Sequence, residues 1–212
     1  NIMILILGST GYVGSEIFHF LNENDSEVIG ISRSEIDYAN PKILKEFLRS
    51  KKPRFLINAA GYTGKPNVDA CESAKADCLN GNAVLPGTIR QVCEDLNITW
   101  GHVSSGCIFS GRRLDGEGWT EDDSPNFSFR SPPCSFYSGS KALGEEVLEG
   151  AENCYIWRLR IPFNEEVGPR NYLQKLLNYD YLLEAENSVS HLDEFAQKCV
   201  ECLDSEVASG IY

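Results

Sequence analysis

A chain of 212 residues with 19 Lys and Arg against 31 Asp and Glu carries a formal charge of −12, which argues against a nucleic-acid or anionic-membrane partner surface. Its apolar and charged fractions, 42% and 24%, are ordinary for a globular fold. No apolar run reaches the roughly 18 residues of a membrane span, and the apolar start Ile2 to Leu7 lacks a basic leader, so the expectation is a cytoplasmic chain of one domain, with or without a fragment of a second.

Short β-branched runs at Ile2 to Leu7, Glu27 to Ile31, Arg54 to Asn58, Ile98 to Val103 and Tyr155 to Arg160 read as strands. Between them the spacing predicts helices over 12–24, 41–50, 68–96 with a break near Asn80, and 136–151. Alternation of this kind implies right-handed crossovers and a doubly wound parallel α/β sheet of the Rossmann type. Ser104 to Ser135, rich in Gly, Ser, Pro and charge, reads as a long functional loop. Residues 1–161 form the expected nucleotide-binding domain. Residues 162–212, with helices near 169–178 and 191–203 and a closing Gly-Ile-Tyr, read as part of a smaller C-terminal lobe. The eight cysteines are scattered, so reduced thiols are expected. Cys199 and Cys202 read as two small residues on one helix face, and no metal site is expected. His19, His102 and His191 read as structural.

Strand one runs directly into Gly8-Ser9-Thr10-Gly11-Tyr12-Val13-Gly14 and then a helical pattern, the strand-glycine-helix context in which backbone N–H groups cradle a pyrophosphate at a helix N-terminus. Where an acidic residue would bind the ribose hydroxyls of NAD, after strand two, the chain reads Ile31-Ser32-Arg33-Ser34. A guanidinium suits a 2′-phosphate, which favours NADPH over NADH. A solvated surface cation is the alternative for Arg33. Asp37 fits either the adenine amino group or a turn cap.

Ser104 and Ser105 leave strand four, and Tyr137-Ser138-Gly139-Ser140-Lys141 opens the next long helix, which puts Tyr137 and Lys141 on one helix face. A lysine beside the phenol would lower its pKa and hold a ribose. The tyrosine could then give a proton to a carbonyl oxygen as hydride arrives, with Ser105 polarising the same oxygen.

Together these residues resemble the extended short-chain dehydrogenase/reductase family over essentially the whole chain. The segments Asn58 to Asp69 with Cys71-Glu72-Ser73, Ser105-Gly106-Cys107-Ile108-Phe109 and Pro169-Arg170-Asn171 are similar to the bifunctional 3,5-epimerases/4-reductases that complete UDP-L-rhamnose. The resemblance implies an NADPH-dependent enzyme for a nucleotide-linked 4-keto-6-deoxy-glucose. It implies Ser105, Tyr137 and Lys141 for reduction, with Cys107 and Lys175 as the epimerase acid/base pair. It places Asn58, Ala59, Ala60 and Gly61 along the cofactor, and Asn67, Ser105, Arg170 and Asn171 near the nucleotide-sugar substrate. Taken alone, Cys107 reads as a core residue and Lys175 as a solvated helix lysine, and helix capping stands level with substrate binding for Asn67 and Asn171. Family members run on past a point like Gly210-Ile211-Tyr212, so the expectation is an incomplete substrate lobe. A homodimer is compatible with all of this. The alternatives are a 4-reductase alone and a non-catalytic NADP-binding subunit.

Overall fold

The computed structural model describes residues 3–24 and 26–212. Strands β1 (Met3–Leu7), β2 (Glu27–Ile31), β3 (Phe55–Asn58), β4 (Thr99–Ser105) and β5 (Cys154–Leu159) form one parallel sheet in the order β2-β1-β3-β4-β5. Ile2, the expected first residue of β1, lies outside the described residues. Helices α1 (Tyr12–Glu23), α2 (Pro41–Lys51), α3 (Lys75–Leu79), α4 (Leu85–Leu96) and α5 (Phe136–Glu146) make the crossovers. The break near Asn80 is a π turn over Asn80–Val84, between α3 and α4, and the stretch begins as a 3₁₀ turn at Val68–Glu72.

Side chains alternate across β1 with period two, and this builds both layers. Leu5 and Leu7 join Leu44, Leu48, Ile89, Val92 and Trp100 on one face. Ile4 and Ile6 join Ile17, Leu21 and Ile57 on the other. The strand order reverses between β1 and β3, so the carboxyl ends of these two strands open a crevice, the place where such sheets hold ligands.

The expected division at 161/162 takes a different form. Helix α7 (Leu192–Asp204) buries Leu192, Ala196, Cys199 and Leu203 in the same cluster as Ile17 and Leu21 of α1, so it covers the main sheet. Ile211 pairs in parallel with Ile156 and extends that sheet beyond β5. The reason is apolar spacing: the face formed by Leu192, Ala196, Cys199 and Leu203 is buried only against a partner layer, and α1 supplies it. What stands apart is the stretch between β5 and α7, with α6 (Tyr172–Leu176) and a two-strand ladder of β6 (Pro162–Phe163) and β7 (Ser190–His191). Cys199 is a core residue, as its helical spacing suggests, and among the described residues no helix is long and apolar enough to cross a membrane.

Candidate active site

The glycine loop turns because Gly8 has φ +77, a left-handed value that favours glycine. Its N–H and that of Ser9 both donate to Ile31 O, which seats the loop beside the end of β2. A Cβ on Gly8 would stand 2.6 Å from Ala60 N, so the loop also lies directly on the chain leaving β3. Gly11 is the N-cap of α1 and has no side chain to satisfy the N–H groups of the first turn. Ser9 is half-buried, and Thr10 and Gly11 are exposed, while Tyr12 and Val13 turn partly inward and Gly14 is buried against Gly8. Free N–H groups at a twelve-residue helix start, with no Cβ in the way, fit a dinucleotide pyrophosphate. Arg33 is exposed at the end of β2, as a 2′-phosphate would require.

Asn58 is fully buried, and its amide is consumed internally. Nδ2 donates to His102 Nδ1 at 3.0 Å and Oδ1 accepts from Ala60 N at 3.1 Å. Asn58 therefore shapes the Ala59–Gly61 wall beneath the cofactor crevice without facing it. Burial pushes His102 well below its ordinary pKa and Lys141 adds to this, so the ring is a neutral structural partner.

Tyr137 and Lys141 stand on the same face of α5, but they do not pair in the expected way. The Lys141 ammonium donates to Val103 O at 3.0 Å, and burial brings its pKa down to about 8. Burial drives the Tyr137 phenol well above its ordinary value, nearby Cys107 adds to the rise, and a hydrogen bond with Ser105 opposes it. Desolvation therefore dominates at the phenol, and the depressed value expected from the sequence is not seen.

Ser105 closes β4, and its hydroxyl also accepts from Cys107 N at 3.1 Å, which fixes the 3₁₀ turn Gly106–Ile108 and presents the thiol. Arg160, from the end of β5, donates through Nη1 to Cys107 Sγ at 3.2 Å and through Nη2 to Asn187. Cys107, Tyr137, Ser138, Arg160, Asp69 and Asn187 line one cavity of about 880 Å³. A second cavity of about 770 Å³ lies between α5 and the 121–131 loop and is lined by neither Tyr137 nor Cys107.

Other expected residues have different work. Asn67 is exposed and caps the 3₁₀ turn through Asp69 N. Arg170 reaches Thr63 Oγ1 at 3.0 Å and Gly64 O at 3.1 Å, tying the segment after β5 to the loop after β3. Asn171 is 3% exposed. Its amide donates to Asn164 O, Asn164 Oδ1 and Glu166 O while its oxygen caps α6, so it knots the loop and has no donor left for substrate. Lys175 lies on α6, is half-buried, and is not among the side chains lining the cavity.

Several working residues escaped the sequence reading. Asn82, in the π turn, bonds Tyr62 N and O and donates to Ser140 Oγ, fastening the β3 loop to α5. Further along α5, Glu145 accepts from Ser104 at 2.6 Å and from Arg158 at 2.8 Å in a buried ion pair. The helix break near Asn80 was a signal for the first, whereas nothing local marks the second.

Residues 2–191 match the model of the RmlD substrate binding domain family. The chain is 32% identical, over 98% of its length, to the bifunctional dTDP-4-dehydrorhamnose 3,5-epimerase/dTDP-4-dehydrorhamnose reductase of Arabidopsis thaliana. It spans 68% of that relative and 30% of the trifunctional UDP-glucose 4,6-dehydratase, epimerase and reductase proteins of the same plant. The crystal structure of the UDP-rhamnose synthase of Acanthamoeba polyphaga mimivirus superposes with a TM-score of 0.89 at 24% identity, covering 100% of this chain and 74% of that one. The dTDP-4-dehydrorhamnose reductase of Bacillus anthracis, solved in complex with NADP, has the same fold, with a TM-score of 0.77 at 17% identity and coverage of 100% and 74%. On the match across 2–191 and the identity to the plant enzyme, this chain belongs to the RmlD substrate binding domain family, among short-chain dehydrogenase/reductase-like folds.

Proposed function

We propose that the chain is the catalytic part of an NADPH-dependent enzyme that turns a nucleotide-linked 4-keto-6-deoxy-glucose, with UDP as the nucleotide, into the L-rhamnose nucleotide. The observation that carries this reading is that Tyr137 and Cys107 line one cavity, with the Ser105 hydroxyl fixing the turn that presents the Cys107 thiol. The names of the plant and viral relatives support the substrate class.

When bound, the nicotinamide supplies hydride to C4. The glycine loop and the first turn of α1 would hold its pyrophosphate, and Arg33 its 2′-phosphate. Ser105 and Tyr137 donate hydrogen bonds to the C4 carbonyl oxygen, and Tyr137 then gives up its phenolic proton as that oxygen becomes the alcohol. Lys141, cationic below about pH 8, supplies positive charge behind the phenol. Before reduction, the keto group acidifies the C3 and C5 hydrogens. Cys107, as thiolate, removes one and leaves an enolate whose negative charge rests on the oxygen facing Ser105 and Tyr137. A proton returned to the carbon from the other face inverts it, and Lys175 is the residue proposed to return it.

A second reading, reduction of an already epimerised substrate, is favoured by the position of Lys175 outside the cavity lining. The two are separated by incubating the protein with the UDP-linked keto sugar and NADPH in deuterium oxide. Deuterium at C3 and C5, lost in Cys107→Ala and in Lys175→Met, supports the bifunctional enzyme. Reduction with no exchange in the wild type leaves the 4-reductase.

A further inference from the structure

Beyond β2 the turn Ser32-Arg33-Ser34-Glu35 already holds an anion. Glu35 Oε2 accepts from Ser32 N at 2.7 Å and from the Ser32 hydroxyl at 2.7 Å, and Ser32 Oγ lies 2.8 Å from Ser34 Oγ. The donors are built into the fold, since Ser32 is 8% exposed, whereas Glu35 and Arg33 face solvent. Ile31 O takes the N–H groups of Gly8 and Ser9, so this turn and the glycine loop are joined side by side. A dinucleotide on that loop brings its adenosine ribose to the end of β2.

We propose that Glu35 occupies the 2′-phosphate subsite from within and sets the balance between NADPH and NADH, an inference that rests on the cofactor reading above. A 2′-phosphate calls for what this turn offers: an N–H, a hydroxyl and the Arg33 guanidinium. Two of those donors are engaged by a carboxylate of the same sign as the phosphate. NADPH therefore has to turn Glu35 outward, which its exposure allows, while the 2′-hydroxyl of NADH displaces nothing and can itself donate to the carboxylate. The two Ser32 donors hold the Glu35 carboxyl below its ordinary pKa, so the competing group is an anion throughout the neutral range. Glu35 thus weakens the preference for NADPH that Arg33 creates. A turn-closing role alone would need only an acceptor, which Gln also provides.

The test is calorimetric titration of the full chain with NADPH, NADH, 2′,5′-ADP and 5′-AMP, comparing wild type, Glu35→Gln and Glu35→Ala. Removing one like charge should tighten NADPH and 2′,5′-ADP about tenfold. NADH and 5′-AMP should not tighten in either variant, and the thermal midpoint of Glu35→Gln, which keeps an acceptor for Ser32, should stay in place. An unchanged NADPH to NADH ratio in both variants, or an equal shift for both cofactors, overturns the role of Glu35 and leaves the cofactor reading intact. A wild type that binds neither dinucleotide overturns both.

Discussion

Gly8 and Gly11 belong to one motif, yet the structure gives them different work, and alanine at each position separates folding from binding. At Gly8 an alanine meets two penalties. The backbone stays at φ +77, a left-handed conformation that costs an L-residue about 1–2 kcal/mol. Its Cβ would stand 2.6 Å from Ala60 N and 2.7 Å from Ala60 Cα, so an ordinary contact requires the chains leaving β1 and β3 to part by roughly 0.8 Å. Overpacking between two backbones typically costs a further 1–3 kcal/mol or so. The expected loss is therefore about 2–5 kcal/mol, read as a lower urea midpoint at unchanged slope. At Gly11 φ is −78, open to any residue, and the nearest atom to a new Cβ is Gly8 O at 3.4 Å. Gly11→Ala should keep stability within about 1 kcal/mol and yet weaken NADPH binding tenfold or more, because the methyl stands where a pyrophosphate approaches the exposed N–H groups. Wild-type stability in Gly8→Ala would refute the steric argument. Wild-type NADPH affinity in Gly11→Ala would refute the placement of the phosphates.

Two further expectations concern α5. Lys141 has a native pKa of about 8 against 10.5 when unfolded, so its ammonium is present below about pH 8; the reduction rate should fall as pH rises through that value. Stability should gain from this group between about pH 8 and 10.5, where the native chain has released a proton that the unfolded chain still binds, and Lys141→Met should lose that gain in denaturation curves taken across the interval. Arg158→Met leaves the Glu145 carboxylate, 7% exposed, with only Ser104 as its partner. That should cost about 3–5 kcal/mol by urea denaturation, and a loss below about 1 kcal/mol would mean that the pair is hydrated.

What could be read from sequence was what is local. The alternation of Leu5 and Leu7 with Ile4 and Ile6 marks a strand buried on both faces, and the glycines after Leu7 mark the turn that follows. Tyr137 and Lys141 share a helix face by spacing alone. Pairings distant in the chain left no such mark: Arg160 with Cys107, Asn82 with Tyr62 and Ser140, and Glu145 with Ser104 each join elements that only the sheet brings together. The same limit governs α7, whose apolar face is evident although its partner α1 is not. Lys141 lies on the face its spacing implies, and the fold adds a partner that spacing does not reveal, the Val103 carbonyl that accepts its hydrogen bond. Asn171 looked available to a ligand because a side-chain amide in a loop does not reveal that three carbonyl or amide oxygens surround it.

The most direct test of the account follows the label from the cofactor. With NADPH deuterated at the transferring position of the nicotinamide and the UDP-linked 4-keto-6-deoxy sugar, mass spectrometry of the product should find one deuterium at C4. Tyr137→Phe should slow its appearance by about a hundredfold or more while NADPH still binds. Tight NADPH binding with no label delivered to any nucleotide-linked 4-keto sugar would contradict the account and leave a cofactor-binding protein without turnover.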